Sequence, residues 1–342
     1  MKRVRILLGV LIIAVAGVMV WRALSAQEPV YQGRTVDSWL DDLTVSNGVA
    51  RNVRSTEYRA ALKQIGPEAV PFIFRKLRQN DSPWHNKYRD IWPNLPGFFH
   101  KLLPQPKPIS FDAGWAGTAL ADCGTNATRM VIDKLNDGNP AVREVAWRAV
   151  SMSFARDSMS TNEMISLCLP ALKDEVAMVR LEAARCLGRL GTAASNAVPA
   201  LLPLLSSSEA GRRASQRVFV RANTARALGE IGPAASNAIP ALTNLMATAD
   251  SYGRVSAAIA LWRITSNESV ALPVIVNELP SFDKNMKQMP IDALKAMGPR
   301  AKAAFPALVS ELSRTEDARL RGAITDAMKA IDPEAAAKAG IE

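Results

Sequence analysis

Between residues 113 and 331 the apolar positions recur at three- and four-residue steps, in runs broken by Gly, Pro and short polar turns. Val179, Ala183, Cys186, Leu187 and Leu190 form one such stripe, which is one face of an amphipathic helix. The run Val179 to Gly191 is followed by Ala197 to Leu205, and the same phrase returns as Val220 to Gly232 with Ala238 to Met246, and near Gly298 with Ala304 to Leu312. An earlier copy is Tyr58 to Pro67 with Ala69 to Leu77. Each phrase predicts two helices. Gly supplies the stop because it accepts the left-handed conformation past a helix end, and the following Pro or Thr does not prolong the helix. Pro199, Pro240, Pro273 and Pro306 are expected in the first turn of the next helix, where the missing N–H is not needed.

One helix pair cannot bury its own stripe, so the pairs are expected to stack and share a continuous core. A basic residue lies eleven positions before the end of each second helix: Arg143, Arg180, Arg221, Arg254, Lys287 and Arg321, at intervals of 37, 41, 33, 33 and 34. Asp137 and Asp174 precede Arg143 and Arg180 by six residues. Two readings follow: an Asp–Arg ladder tying each inter-helix turn to its neighbour, and a row of cations presented to an anionic ligand. The balanced local charge favours the ladder.

The phrase of Asp, Val-Arg and Ala-Ala-x-x-Leu-Gly-x-Ile-Gly resembles the HEAT repeat, particularly the short variety of phycobilisome lyase subunits. The resemblance covers residues 113–331, with residues 54–79 as an opening repeat. It implies an all-α fold, a right-handed α-solenoid of about seven HEAT-like helix pairs. Tyr31 to Leu40 is similar to the opening of some membrane-anchored bacterial HEAT-repeat proteins. One HEAT-repeat enzyme class, the deoxyhypusine hydroxylase type, binds iron through His-Glu dipeptides; here His85 precedes Asn86 and His100 precedes Lys101, so that activity is not carried over.

Charge changes the picture at one end. Most of the net charge of +10 resides in residues 1–110, with 16 Lys/Arg against 8 Asp/Glu, whereas residues 111–342 hold 26 against 24. Lys2, Arg3, Arg5 and Arg22 flank the uncharged stretch Ile6 to Trp21, which reads as a transmembrane anchor or a signal peptide. Either places the remainder outside the cytoplasm, in the cell envelope, with membrane contact through residues 6–21, and argues against nucleic acid as a partner. The expected organisation is then residues 1–26 as anchor or signal, 27–79 as N-terminal segment and opening repeat, 80–112 as an insert, and 113–342 as the solenoid.

Candidate chemistry is sparse. Cys123, Cys168 and Cys186 lack paired spacing and fall in apolar runs, so they read as buried thiols. No phosphate-cradling or nucleophile-elbow motif occurs, and neither a metal nor a cofactor is expected. The insert departs from the repeat: it holds six prolines, both histidines and the aromatics Trp84, Tyr88, Trp92, Phe98 and Phe99. Such a segment is either a partner-binding element or a cover for the end of the core. Ser206 to Arg217 lengthens a turn and brings Arg213, Arg217 and Arg221 onto one helical face, a candidate site for acidic groups. The expected function is a non-catalytic scaffold binding a protein or peptide partner; the alternatives are an enzyme or lyase-type subunit using the insert, and polyanion binding by the arginine face.

Overall fold

The computed structural model describes residues 28–42, 50–80, 87–88, 91–97, 100, 113–153, 159–206, 214–283 and 286–341. They are helical apart from connections and one antiparallel two-stranded ribbon, β1 (Val30–Tyr31) and β2 (Arg34–Thr35), in which Val30 pairs with Thr35. Two compact units divide the chain, Met1–Lys134 and Leu135–Glu342. The boundary falls within the stretch expected as the solenoid.

In the first unit, α1 (Val36–Asp42), α2 (Ala50–Ile65), α3 (Val70–Asn80), α4 (Ala113–Asp122) and α5 (Thr125–Ile132) follow the ribbon. Tyr58, Leu62, Ile73 and Leu120 form its core. Arg59 pairs with Asp122 at 2.9 Å, and the Lys76 ammonium donates to the Asp37 carbonyl at 2.9 Å. Arg34 lies 4.0 Å over the Trp39 ring.

The second unit opens with α6 (Pro140–Ser153) and continues as five helix pairs among the described residues. These are α7 (Thr161–Ala171) with α8 (Ala177–Arg189), α9 (Val198–Leu205) with α10 (Ala214–Ile231), α11 (Ile239–Thr248) with α12 (Ser251–Thr265), α13 (Glu268–Glu278) with α14 (Gln288–Met297), and α15 (Phe305–Arg314) with α16 (Ala318–Ile331). A last helix, α17 (Pro333–Lys338), packs on α16. Successive second helices touch in turn, and each also packs on its own first helix, the stacked arrangement of HEAT repeats.

Three connections are built alike. Gly191, Gly232 and Gly298 take φ of +60°, +80° and +59°, and each opens a seven-residue 3-10 segment ending at Ala197, Ala238 or Ala304. Ala194, Ala197, Ala235, Ala238, Ala301 and Ala304 are all fully buried beneath these segments, so the linkers are part of the core. Pro199, Pro240 and Pro306 fall in the first turn of the helices that follow. Pro273 does not: α13 lacks the 3-10 linker and begins at Glu268, capped by the Asn267 side chain on the Ser269 N–H at 3.0 Å, which leaves Pro273 inside the helix.

Among the described residues no helix is long and apolar enough to cross a membrane. The expected cell-envelope location is corrected on this finding; the stretch Ile6 to Trp21 on which it rested lies outside the described residues.

Candidate functional site

The ladder cations are placed by the repeat itself. Arg143, Arg180, Arg254 and Arg321 sit one turn into their second helices, Arg221 two turns in and Lys287 at the N-cap, and the arginines reach carbonyls at the end of the preceding helix or in the turn after it. Arg143 donates to the Asp137 and Gly138 carbonyls at 3.0 and 3.4 Å, Arg180 to those of Asp174 and Glu175 at 2.7 and 3.1 Å, and Arg221 to Leu205 at 2.9 Å. Arg254 reaches Ala249 at 3.4 Å, and Arg321 reaches Leu312 and Thr315 at 2.9 and 3.1 Å.

Three of these cations also reach forward to the next pair. Arg143 grips the Asp174 carboxylate with two bonds, 2.9 and 3.1 Å, and Glu175 with a third at 3.0 Å. These bonds hold its guanidinium above the ordinary range for deprotonation. Arg254 pairs with Glu278 at 2.7 Å, and Lys287 with the buried Glu311. Asp137 and Asp174 thus receive their own pair's arginine through the carbonyl, and the Asp174 side chain serves the arginine of the preceding pair.

The insert is described in part. Tyr88 stands edge-on to Trp92 with centroids 5.6 Å apart, and Trp92 stacks on His100 at 4.8 Å. His100 Nε2 donates to the Trp92 carbonyl at 2.9 Å. Trp84, Phe98 and Phe99 lie outside the described residues, as does Arg213; Arg217 falls in α10, with its side chain outside the description. Among the described residues no group of three or more His, Cys, Asp or Glu is placed to hold a metal ion.

Two features had no part in the sequence expectations. The first is a buried carboxylate. Glu182, 2% exposed, accepts from the fully buried Ser151 hydroxyl at 2.5 Å and from Arg185 at 3.2 Å, with Arg148 3.8 Å away. Beside it Arg189 is half-buried, and burial followed by the neighbouring Arg185 charge lowers its pKa. Cys168 and Cys186 bridge α7 and α8 as a pair of buried thiols; their mutual hydrogen bond and burial hold Cys168 well above the ordinary thiol range.

The second feature is a cavity of about 410 Å³ along second helices α10, α12 and α14. One position of the repeat sets how closely the helices around it approach. Gly188, Gly229 and Trp262 each follow their ladder cation by eight residues. A Cβ on Gly188 would stand 2.8 Å from the Ala227 Cα, and one on Gly229 would stand 2.8 Å from the Ala260 Cα, so glycine lets α8, α10 and α12 close on one another. Trp262 takes the glycine's place on the side of α12 toward α14 and packs against the apolar core there. The close approach that glycine allows is not available there; Trp262 itself does not line the cavity. Ile259, Ala260 and Met289 give it apolar walls. Tyr252, edge-on to both Phe219 and Phe282, stands at one end.

Comparison with known proteins agrees with the repeat geometry. Residues 128–219 match the HEAT repeats family, and residues 220–248 match the PBS lyase HEAT-like repeat. No curated protein matches the chain. Among solved structures, it is similar to the complex of CpcE and CpcF of phycocyanin lyase from Nostoc sp. PCC7120, with 20% identity over 90% of this chain and 99% of that chain and a TM-score of 0.44. It is also similar to an engineered protein, with 17% identity over 87% of this chain and 96% of that chain and a TM-score of 0.34. The match to a lyase repeat corrects the expectation that the chain is not an enzyme. Residues 128–248 are HEAT repeats, and those of 220–248 are of the PBS lyase type.

Proposed function

We propose that the chain is a subunit of a lyase-type enzyme acting on a partner protein that its helical repeats hold. The observation that carries this reading is the match of residues 220–248 to the PBS lyase HEAT-like repeat, because that segment includes Arg226 and Glu230, which line the cavity. Stacked second helices offer a broad surface for a polypeptide, and HEAT repeats favour a protein partner. In this reading the helix pairs of the second unit hold the partner and residues 80–112 are the element that takes part in the chemistry.

A lyase step needs a group that can give or take a proton at the bond that breaks or forms. His100 suits that role: with Nε2 donating to the Trp92 carbonyl, the neutral ring keeps its lone pair on Nδ1. The Tyr88 phenol stands in the same stack. The test compares intact masses of the proteins that co-purify with the chain from cells producing the unaltered chain, His100→Gln, or none. The expected result is a partner that carries an added group with the unaltered chain, lacks it without the chain, and is still captured but unmodified by His100→Gln. Identical partner masses in all three would refute the lyase reading.

A further inference from the structure

The cavity along α10, α12 and α14 carries two opposite charges that its own walls do not neutralise. On α10, Arg226 and Glu230 satisfy each other at 2.9 Å. On α12, Arg263 is exposed at the mouth, and among the described residues no carboxylate lies within pairing distance of it. On α14, Asp292 accepts only a neutral amide, from Gln288 at 2.8 Å, and among the described residues no cation pairs with it. Arg263 and Asp292 do not pair with each other. Between them lie Ile259, Ala260 and the thioethers of Met286 and Met289, a floor that adapts to differently shaped apolar groups. Ser256, 2% exposed, faces the same space, and its hydroxyl is spent on the Met289 sulfur at 3.7 Å, a weak acceptor.

We propose that this cavity docks a polypeptide segment that inserts one bulky apolar side chain flanked by an acidic and a basic residue, the acid meeting Arg263 and the base meeting Asp292. The volume, about 410 Å³, is in the range of ligand sites, and the lining is half apolar with a few polar groups at the rim. A free apolar amino acid matches the site less well. Its two charges hang from a single carbon, whereas Arg263 and Asp292 stand on different helices across the gap; a polypeptide brings them from separate residues. The proposal deepens the reading of the chain as a lyase-type subunit and rests on it for the natural partner, but the binding itself can be measured alone.

The experiment uses the full chain labelled with 13C-methyl methionine, with the Met286 and Met289 signals assigned through Met286→Leu and Met289→Leu. The probes are two acetylated, amidated peptides, Asp-Ala-Phe-Ala-Lys and Lys-Ala-Phe-Ala-Asp, together with the analogue carrying Gln at both ends and free phenylalanine. One of the two charged orders is expected to shift both methyl signals saturably. Arg263→Gln and Asp292→Asn, both at exposed positions, should each weaken that binding about fivefold. The uncharged analogue and free phenylalanine should bind more weakly than the charged peptide. The proposal is overturned if neither charged peptide moves these signals, if both substitutions leave the affinity unchanged, or if free phenylalanine saturates them at the same concentration. A chain that takes the peptide yet leaves partner masses unchanged defeats the lyase reading alone; one that alters partner masses with both methionine signals unmoved defeats this proposal alone.

Discussion

Replacing Gly229 with Ala tests the account of helix spacing at the contact of α10 with α12. In an open helix the change is favourable, since Ala exceeds Gly in helix propensity by about 1 kcal/mol. Here the new Cβ would stand 2.8 Å from the Ala260 Cα and 3.1 Å from its Cβ, with the Arg263 Cδ at 3.5 Å. The nearest obstacle is backbone, so α10 and α12 must separate along their contact rather than one side chain turning aside. Overpacking of this kind costs about 2–3 kcal/mol, which exceeds the propensity gain and predicts a net loss of about 1–2 kcal/mol. Gly322 supplies the control: it lies in α16, is exposed, and a Cβ there would meet nothing within 4 Å. Gly322→Ala is therefore expected to stabilise by ~0.5–1 kcal/mol. Urea denaturation followed by circular dichroism, on both variants and the parent, reads the two signs. If Gly229→Ala proved as stabilising as Gly322→Ala, glycine would not be setting the approach of these helices.

Further outcomes follow from the same contacts. Arg143→Ala should cost about 2 kcal/mol in urea denaturation by stranding the Asp174 carboxylate, and Arg143→Lys should recover only part of it because an ammonium cannot make the forked contact. Glu182→Leu should cost ~2–3 kcal/mol by stripping Arg185 and Arg148 of their buried carboxylate and leaving the Ser151 hydroxyl only the Arg148 carbonyl, while Glu182→Gln, which keeps an acceptor oxygen, should cost less. Burial pushes the Cys123 thiol from 9.0 up to about 12, and burial with the Asp122 charge pushes the Tyr58 phenol from 10.0 up to about 12. In both cases the folded state holds its proton more tightly than the unfolded state. Their contribution is therefore complete below pH 9 and is lost as pH rises from 9 to about 12, so denaturation midpoints across that window should fall in the parent and fall less in Cys123→Ala.

The repeat was legible because its signals are local. A left-handed glycine, a proline in a first turn and a stripe of apolar residues each act within a few positions, which is why Gly191, Gly232 and Gly298 end their helices where the phrase places them. The cations of the ladder were legible as positions but not as contacts. Asp174 shares a phrase with Arg180, yet its carboxylate belongs to Arg143, a pairing between turns 31 residues apart that spacing within one phrase does not reveal. Pro273 misled because the signal for a helix start is shared with proline's tolerance inside a helix once Asn267 has capped it earlier. The cavity was hidden for another reason. Its lining comes from residues between 226 and 292 on three helices, and only the packed helices bring them together.

The ties between pairs give the second unit a direction. Arg143, Arg254 and Lys287 each hold the turn of their own pair, an acid of the following pair, or both, whereas Arg321 turns both of its bonds back to Leu312 and Thr315. Arg321 thus spends these donors at home, as Arg221 in mid-array does on the Leu205 carbonyl. Grafting another helix pair after Ile331 therefore needs no carboxylate to draw Arg321 outward, since the pair after Arg221 stacks without one. Removing the final pair would instead leave Lys287 without its Glu311 acceptor, so growth and trimming of the molecule at this end obey different rules.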